Sequence, residues 1–499
     1  MRDALSIFFR KHWDACLASI AASIFIYLFT KHSGIGISPD SVNYFSTAAN
    51  IREHFSFTDF NGAPLADFPL GYPSFLAFCS FISRSGVLQL APVLNCILFS
   101  GLIFSTSIII DGHKTVSHLY KICILALLAC SPCLLEIYSM LWSETLFLFL
   151  IVLCMVLLKH YLNAPDTGRL LLVSVVVALA FVTRYAGVTV MAMAMFMIVF
   201  NGQLPIRKKI LHLFLLTIVG SSLVAVNLAR NKAVVGHSTG VREKALRGIG
   251  DNLEQIGSTI SNWLPFTRGH GNWAMIIFLL VFALAILVYH LLQQQYFPSC
   301  KTIVACFFVV YTGFIVLIGS ISRFEDLSSR LLSPLYIPLL ITGSSWSVPF
   351  LKRSHGFKKI IYAIVALVIY AGVHYTHYQQ NAEAWEGIKD AGMPGYAENP
   401  WRHSPAVALV KENKTQLLQP IYSNANDAVY FLTGVHAIAL PHKEIQKEVD
   451  AFLARPSFTL IWFIDGDNPD LVGLDFIKQH WRLSSTQEAE GGGIYHFIK

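Results

Sequence analysis

The stretch Ser38–Phe78 reads SPDSVNYFSTAANIREHFSFTDFNGAPLADFPLGYPSFLAF. How it is read decides the layout of the whole chain. It follows a first long apolar run, Ala15 to Thr30, which Arg2, Arg10 and Lys11 precede. No small-residue cleavage site with a mature start follows that run. It therefore reads as a retained first membrane helix, with its N-terminus in the cytoplasm. The stretch then lies in a first extracytoplasmic loop, 32–86. Pro39 favours a helix start, and Val42, Phe45 and Ala49 share one face at helical spacing. Ser38 suits the cap of that helix, and Asp40 falls in its first turn, where a carboxylate favours the positive end of the dipole. The same Asp40 is the leading candidate for a catalytic acid or base. The short apolar piece 70–83 reads as re-entrant or interfacial.

Outward from this loop the chain is apolar. Hydrophobic residues make up 54% of the 499, charged residues 13%, and mean hydropathy is +0.55. A soluble chain of this length carries about twice that charged fraction. Long apolar runs in lipid must be helical, because nothing there pairs an open backbone. Eleven segments are expected to span: 14–31, 87–110, 119–138, 143–161, 169–184, 186–201, 210–229, 273–292, 302–321, 331–350 and 358–376. The run 169–201 has Arg184 and Tyr185 at its middle. A charge at mid-membrane is costly, so a hairpin with Arg184 at the turn is expected there. The net charge of +7 is modest, and the 37 basic residues sit mostly at segment ends, which suits lipid headgroups and not nucleic acid. An outer loop, 230–272, is basic, with Arg230, Lys232, Arg242, Lys244, Arg247 and Arg268. An anionic headgroup would account for it. Lys244 and Arg247 follow Arg242 on an expected amphipathic helix at the interface.

Composition changes after residue 377. Strand structure is expected at 419–424, 435–440 and 458–464, helices at 426–434 and 443–453, and a glycine turn at 491–493 before a last strand. The fold class is thus mainly α. A polytopic membrane helix bundle of about eleven transmembrane helices, 1–376, precedes a small C-terminal extracytoplasmic α/β domain, 377–499.

The polar residues that can carry chemistry gather at segment ends on one membrane face. They are Asp40, Glu136, Glu144, Arg184 and Arg330. Asp40 and Glu144, which follows Ser143, also read as ordinary first-turn acids, and the arginines as headgroup anchors or partners of Glu325 or Asp326. Arginine offers a planar fork of donors matched to phosphate oxygens. Tyr44, Phe68, Tyr72 and Tyr185 flank these positions as interface-belt residues or as walls of a sugar site. A coupled transporter places ionisable groups near mid-membrane and carries internal repeats, and neither is visible here. The nine cysteines lie in or beside apolar segments. Cys130-Ser131-Pro132-Cys133 has a redox spacing, but buried cysteine is a common apolar filler. There is no HExxH, no paired CxxC, no Walker loop and no GxSxG, so no metal ligands are assigned.

The order of the short motifs resembles the GT-C superfamily of polytopic glycosyltransferases, on the branch of protein O-mannosyltransferases and bacterial lipid A aminoarabinose transferases. Asp40 with Tyr44 and Ala48 is similar to the acidic motif of their first outer loop. Phe68-Pro69-Leu70-Gly71-Tyr72-Pro73 resembles the proline-rich turn after it, with Leu70 where a second proline is usual. Ser143-Glu144, Thr183-Arg184-Tyr185-Ala186-Gly187 and Arg330 to Pro334 resemble three later motifs. Arg230-Asn231, Gly236, Gly240 and Arg242 resemble a further outer loop. The resemblance implies a polyprenyl-phosphate sugar donor, a glycan, lipid or protein acceptor, transfer at the outer face, and a bacterial inner membrane with the C-terminal domain outside. It implies Asp40 as base, and Glu144 as a second acid that orients the acceptor or holds a divalent cation. Arg184, Arg330, Tyr72, Tyr185 and Arg242 are implied on the substrate. Some relatives carry two adjacent acids in the first motif, whereas here Ser41 follows Asp40. The competing readings are a lipid or sugar transporter or flippase, and a non-catalytic membrane scaffold.

Overall fold

The structure, a computed structural model, describes residues 2–112, 117–240, 244–264, 272–323, 326–466 and 468–499. The helices in chain order are α1 Arg2–Thr30, α2 Pro39–His54, α3 Gly71–Ser83, α4 Val87–Asp111, α5 His118–Ala129, α6 Pro132–Ser139, α7 Glu144–Asn163, α8 Thr167–Thr183 and α9 Val188–Val199. Then come α10 Ile206–Val235, α11 Ile249–Trp263, α12 Asn272–Leu292, α13 Cys300–Ile321, α14 Ser329–Leu332, α15 Tyr336–Ser344, α16 Ser347–Arg353 and α17 Gly356–Ala391. The last are α18 Asn399–Arg402, α19 Pro405–Glu412, α20 Asn426–Thr433, α21 Gln446–Leu453 and α22 Leu474–His480. Five strands accompany them: β1 Ile421–Ser423, β2 Ile438–Ala439, β3 Ser457–Phe463, β4 Arg482–Ala489 and β5 Gly492–Ile498.

Among the described residues, eight helical segments are long and apolar enough to span a bilayer, or nine if the bent pair α5–α6 is one span. Two shorter apolar helices, Thr167–Thr183 and Tyr185–Val199, complete the eleven segments expected. The chain is an integral, multi-pass membrane protein. The run 169–201 breaks at Arg184, as expected.

The chain forms two compact units, each assembled from separate stretches. The first comprises the chain through Phe29, Ala66–Tyr72 and Ala91–Trp385. Its helices are interrupted, and each interruption leaves carbonyls that lipid cannot satisfy. Polar side chains do it instead. Asn95 on α4 donates to Tyr138 O at 2.8 Å and Met140 O at 3.0 Å, closing the gap between α6 and α7. Asn381 on α17 donates to Cys130 O at 2.9 Å, at the α5–α6 bend. At the other end of α5, the buried Lys121 ammonium lies 3.0 Å from Asp14 on α1 and 2.8 Å from Asp111 on α4.

The second unit comprises Thr30–Leu65, Pro73–Leu90 and Glu386–Lys499. Its sheet runs β2-β1-β3-β5-β4, with β1 parallel to β2 and β3, and β5 antiparallel to β3 and β4. One face packs Tyr422, Phe452, Phe458, Trp481 and Phe497 into an aromatic core. The first loop is built into this unit. Ile37 O accepts from Tyr396 N at 2.8 Å, Ile37 N donates to Pro394 O at 3.3 Å, and Ser33 Oγ accepts from Met393 N at 2.7 Å. On α2, Phe45 packs against Tyr430 and Phe431 of α20, with ring centroids 6.4 and 5.9 Å apart. Beyond α2, Phe60 stacks on Tyr430 at 4.9 Å, and Asn61 donates to Ala437 O at 2.9 Å.

Three local expectations are corrected. The strand at 435–440 shrinks to Ile438–Ala439. The hairpin strand β4 and helix α22 were not expected. Strand β4, RLSSTQEA, is an exposed edge with polar residues on both faces, so no alternation marks it. Lys244 to Gly248 is not helical: Lys244 bridges to Ser322, Arg247 pairs with Asp326, and the amphipathic helix starts at Ile249 behind the Gly248 cap.

Gly395 has φ +85°, and an added Cβ would sit 2.0 Å from Ile37 O. Gly395→Ala should therefore cost about 2 kcal/mol or more, read as a lowered Tm of the detergent-purified protein. Gly343→Ala, with nothing within 4 Å, should change stability by less than about 0.5 kcal/mol.

Candidate active site

In the first unit the chemistry converges on the start of α7. Glu144 is 1% exposed. Its Oε1 accepts from Arg184 Nη1 at 2.7 Å and from Arg330 Nε at 2.7 Å. Arg184 Nη1 also donates to Ser143 Oγ at 2.9 Å, and Ser143 Oγ donates to Glu144 Oε2 at 3.3 Å. The Arg330 guanidinium lies over the Trp142 ring, 4.5 Å from its centroid, as a cation on a π face. One carboxylate thus holds two guanidiniums.

Backbone breaks deliver both arginines. At Arg184 the chain turns extended, with φ −147° and ψ +140°, while its N–H still donates to Ala180 O. The turn is tight because Gly187 packs on its own helix: a Cβ there would lie 2.4 Å from Phe181 Cα. Arg330 sits on the one-turn helix α14, followed by the 3₁₀ turn Ser333–Leu335. Three neighbours fix that turn. Trp263 Nε1 donates to Ser329 Oγ at 3.1 Å, Cys133 Sγ to Ser329 O at 3.7 Å, and Tyr311 OH to Leu331 O at 2.7 Å.

The turn at Phe68–Pro73 meets the Arg184 break. A Cβ on Gly71 would lie 2.4 Å from Val182 O, so the two backbones touch. Leu70 N donates to Asn227 Oδ1 at 3.2 Å, and Asn227 Nδ2 reaches Tyr185 OH at 3.5 Å. One turn on, Asn231 donates to Ala66 O at 3.3 Å and Ser238 O at 3.2 Å. Tyr72 is buried. The organising role of Asn227 was missed in the sequence reading. Its signal was a buried amide one turn before Asn231 on an apolar helix.

Glu136 is exposed on α6, within the field of Arg330. Arg242 lies outside the described residues. Among the described residues no group of three or more His, Cys, Asp or Glu side chains could hold a metal ion. Glu144, a candidate cation ligand, already has two cations on Oε1, so its surroundings do not fit a divalent ion.

Asp40 belongs to the second unit, half-buried in the first turn of α2. It is not the group that caps the helix. Ser38 N donates to Ser41 Oγ at 3.0 Å, and the two hydroxyls lie 3.1 Å apart. The first-turn position is as expected, and so is the cap, since Ser38 is the N-cap residue in a reciprocal capping box with Ser41.

No family model matches the sequence, and no curated protein matches it. Solved structures do. ArnT from Cupriavidus metallidurans in the apo state is similar with a TM-score of 0.57 and 10% identity, over 96% of this chain and 97% of that one. The Archaeoglobus fulgidus oligosaccharyltransferase in complex with Zn and sulfate gives 0.55 and 11%, over 96% and 72%. The AglB structure from the same organism, with an inhibitory peptide and a dolichol-phosphate, gives 0.53 and 12%, over 98% and 74%. At such identities the likeness concerns the fold. The chain has the fold of the GT-C glycosyltransferases.

Removing the shared carboxylate leaves two half-buried guanidiniums without the acid that holds them together. Glu144→Gln should cost about 3–5 kcal/mol, measured as a fall in Tm at neutral pH. Ser143→Ala should cost about 1 kcal/mol.

Proposed function

We propose that this chain is a membrane glycosyltransferase that moves a sugar from a polyprenyl-phosphate donor to a hydroxyl acceptor on a glycan, lipid or protein. The observation that carries the reading is the pair of guanidiniums held on one buried carboxylate at the ends of apolar helices. Such a cluster suits a lipid-borne phosphate. The GT-C fold supports the reading, as does the dolichol-phosphate in the AglB structure.

In the reaction, the bond between the anomeric carbon and the phosphate oxygen breaks while the acceptor oxygen bonds to that carbon. The phosphate leaves with the electron pair, and Arg184 and Arg330 stabilise its growing charge in a water-poor setting. Asp40 takes the acceptor's proton as its oxygen attacks. Glu144 is the positioning residue of the cationic pair, a role that leaves its Oε1 engaged and unsuited to act as a base. Tyr72 and Tyr185 line the donor's side, where the Phe68–Pro73 turn meets the Arg184 break, and Arg242 adds positive charge from the outer loop. Transfer takes place on the outer face of a bacterial inner membrane, with the 377–499 domain outside.

The test is transfer by purified protein in vesicles, using a panel of polyprenyl-phosphate sugars. Asp40→Asn should lose about 10²- to 10⁴-fold in kcat. Arg330→Lys, which keeps charge but not the fork, should lose about 10²-fold or more. Full activity in folded Asp40→Asn protein, or no transfer by wild type from any such donor, would overturn the reading.

A further inference from the structure

We infer that Trp142 is a positioning residue for the leaving phosphate: its ring face holds the guanidinium of Arg330 in the orientation that meets the negative charge gained as the sugar departs. The inference rests on the proposed polyprenyl-phosphate donor, and it says how one of the two arginines is aimed.

The argument starts from what Glu144 supplies. Arg330 meets Glu144 Oε1 through its Nε, at 2.7 Å. A hydrogen bond at one nitrogen fixes where a guanidinium sits better than how it is turned. Arg184 gains a further tie from Ser143, whose Oγ accepts from Nη1 at 2.9 Å. Arg330 gains one from a surface. Its Cζ lies over the Trp142 ring, 4.5 Å from the centroid. Trp142 is 8% exposed and the Arg330 side chain 12%, so the contact is mostly shielded from water. A cation over an indole face is held most strongly in such a setting. Three consecutive residues thus divide the work: Trp142 stacks on Arg330, Ser143 bonds Arg184, and Glu144 takes both.

The platform itself is fixed. Trp142 stands in the connection between α6 and α7, and its carbonyl accepts from Thr145 N at 3.2 Å and Thr145 Oγ1 at 2.8 Å. Tyr138 OH donates to Thr145 O at 3.1 Å, which ties the end of α6 to the start of α7. From α4, Asn95 holds Met140 O, and Phe99 stacks on Tyr138 with ring centroids 4.4 Å apart. A ring on so constrained a backbone can orient what lies on it.

The choice of a ring has a chemical consequence. An indole face attracts a cation through its quadrupole and adds no negative charge. A second carboxylate would hold Arg330 as firmly, but it would compete with the substrate phosphate for the guanidinium. The donor phosphate is a diester with one negative charge. When its bond to the anomeric carbon breaks, the phosphate oxygen keeps the electron pair, and the group becomes a monoester with a second charge. A well-aimed guanidinium is worth most at that moment. Trp142 should therefore act on kcat and on binding of the polyprenyl phosphate product more than on the donor's KM. A buried indole that only fills space would show no such split, and any apolar side chain of similar bulk would replace it.

The test uses the full-length protein in vesicles, with polyprenyl-phosphate sugars as donors and polyprenyl phosphate as product inhibitor. Trp142→Leu should lower kcat about 5- to 30-fold and raise the inhibition constant by a similar factor, with donor KM changed less than about threefold. Trp142→Phe, which keeps a π face, should recover most of the loss. In an Arg330→Gln background, Trp142→Leu should cost less than about twofold more, because the partner is gone. Fluorinated tryptophans incorporated at position 142 keep the shape of the side chain while withdrawing electron density from its face. With them kcat should fall stepwise as fluorines are added.

Unchanged kcat and product binding across the fluorinated series would overturn the inference and leave the glycosyltransferase reading standing. So would a loss from Trp142→Leu that is equally large with and without Arg330. No transfer by wild type from any donor would instead overturn that reading, whatever the Trp142 variants do.

Discussion

The first unit depends on one carboxylate oxygen. Glu144 Oε1 receives both Arg184 and Arg330, which come from chain breaks far apart in sequence. A buried carboxylate alone is expensive, and so is a buried guanidinium. Together they become affordable only if the helices stop where these side chains can meet. The break after Thr183, the short turn of α14 and the start of α7 at Glu144 are thus three local answers to one electrostatic demand. The Asn95 and Asn381 contacts answer the accompanying backbone demand, since each interrupted helix exposes carbonyls that lipid cannot pair.

The second unit is governed differently. Its order comes from a water-side aromatic core and from backbone pairing between the first loop and the segment after α17. The loop's apolar residues Phe45 and Phe60 find their partners more than 350 positions away, on α20. The Phe68–Pro73 turn falls where the chain passes from one unit to the other. A loop that looked like an appendage of the membrane helices is an integral part of the C-terminal fold.

The sequence reading was strongest where a single physical rule dominates. Hydropathy located every apolar segment, and the cost of a charge in lipid located the break at Arg184. The gathering of Glu144, Arg184 and Arg330 was legible only as a set of acids and bases near helix ends. Nothing in a string of residues says that two arginines share one oxygen, because that depends on where three backbones cross. Strand β4 was invisible for the opposite reason: an exposed polar edge has no hydrophobic pattern to read. Asp427 and Tyr396 went unremarked because each is unexceptional locally, an acid in a first turn and an aromatic beside glycine. Tyr396 takes its place from pairing with Ile37, far earlier in the chain, and Asp427 accepts from the Tyr396 hydroxyl.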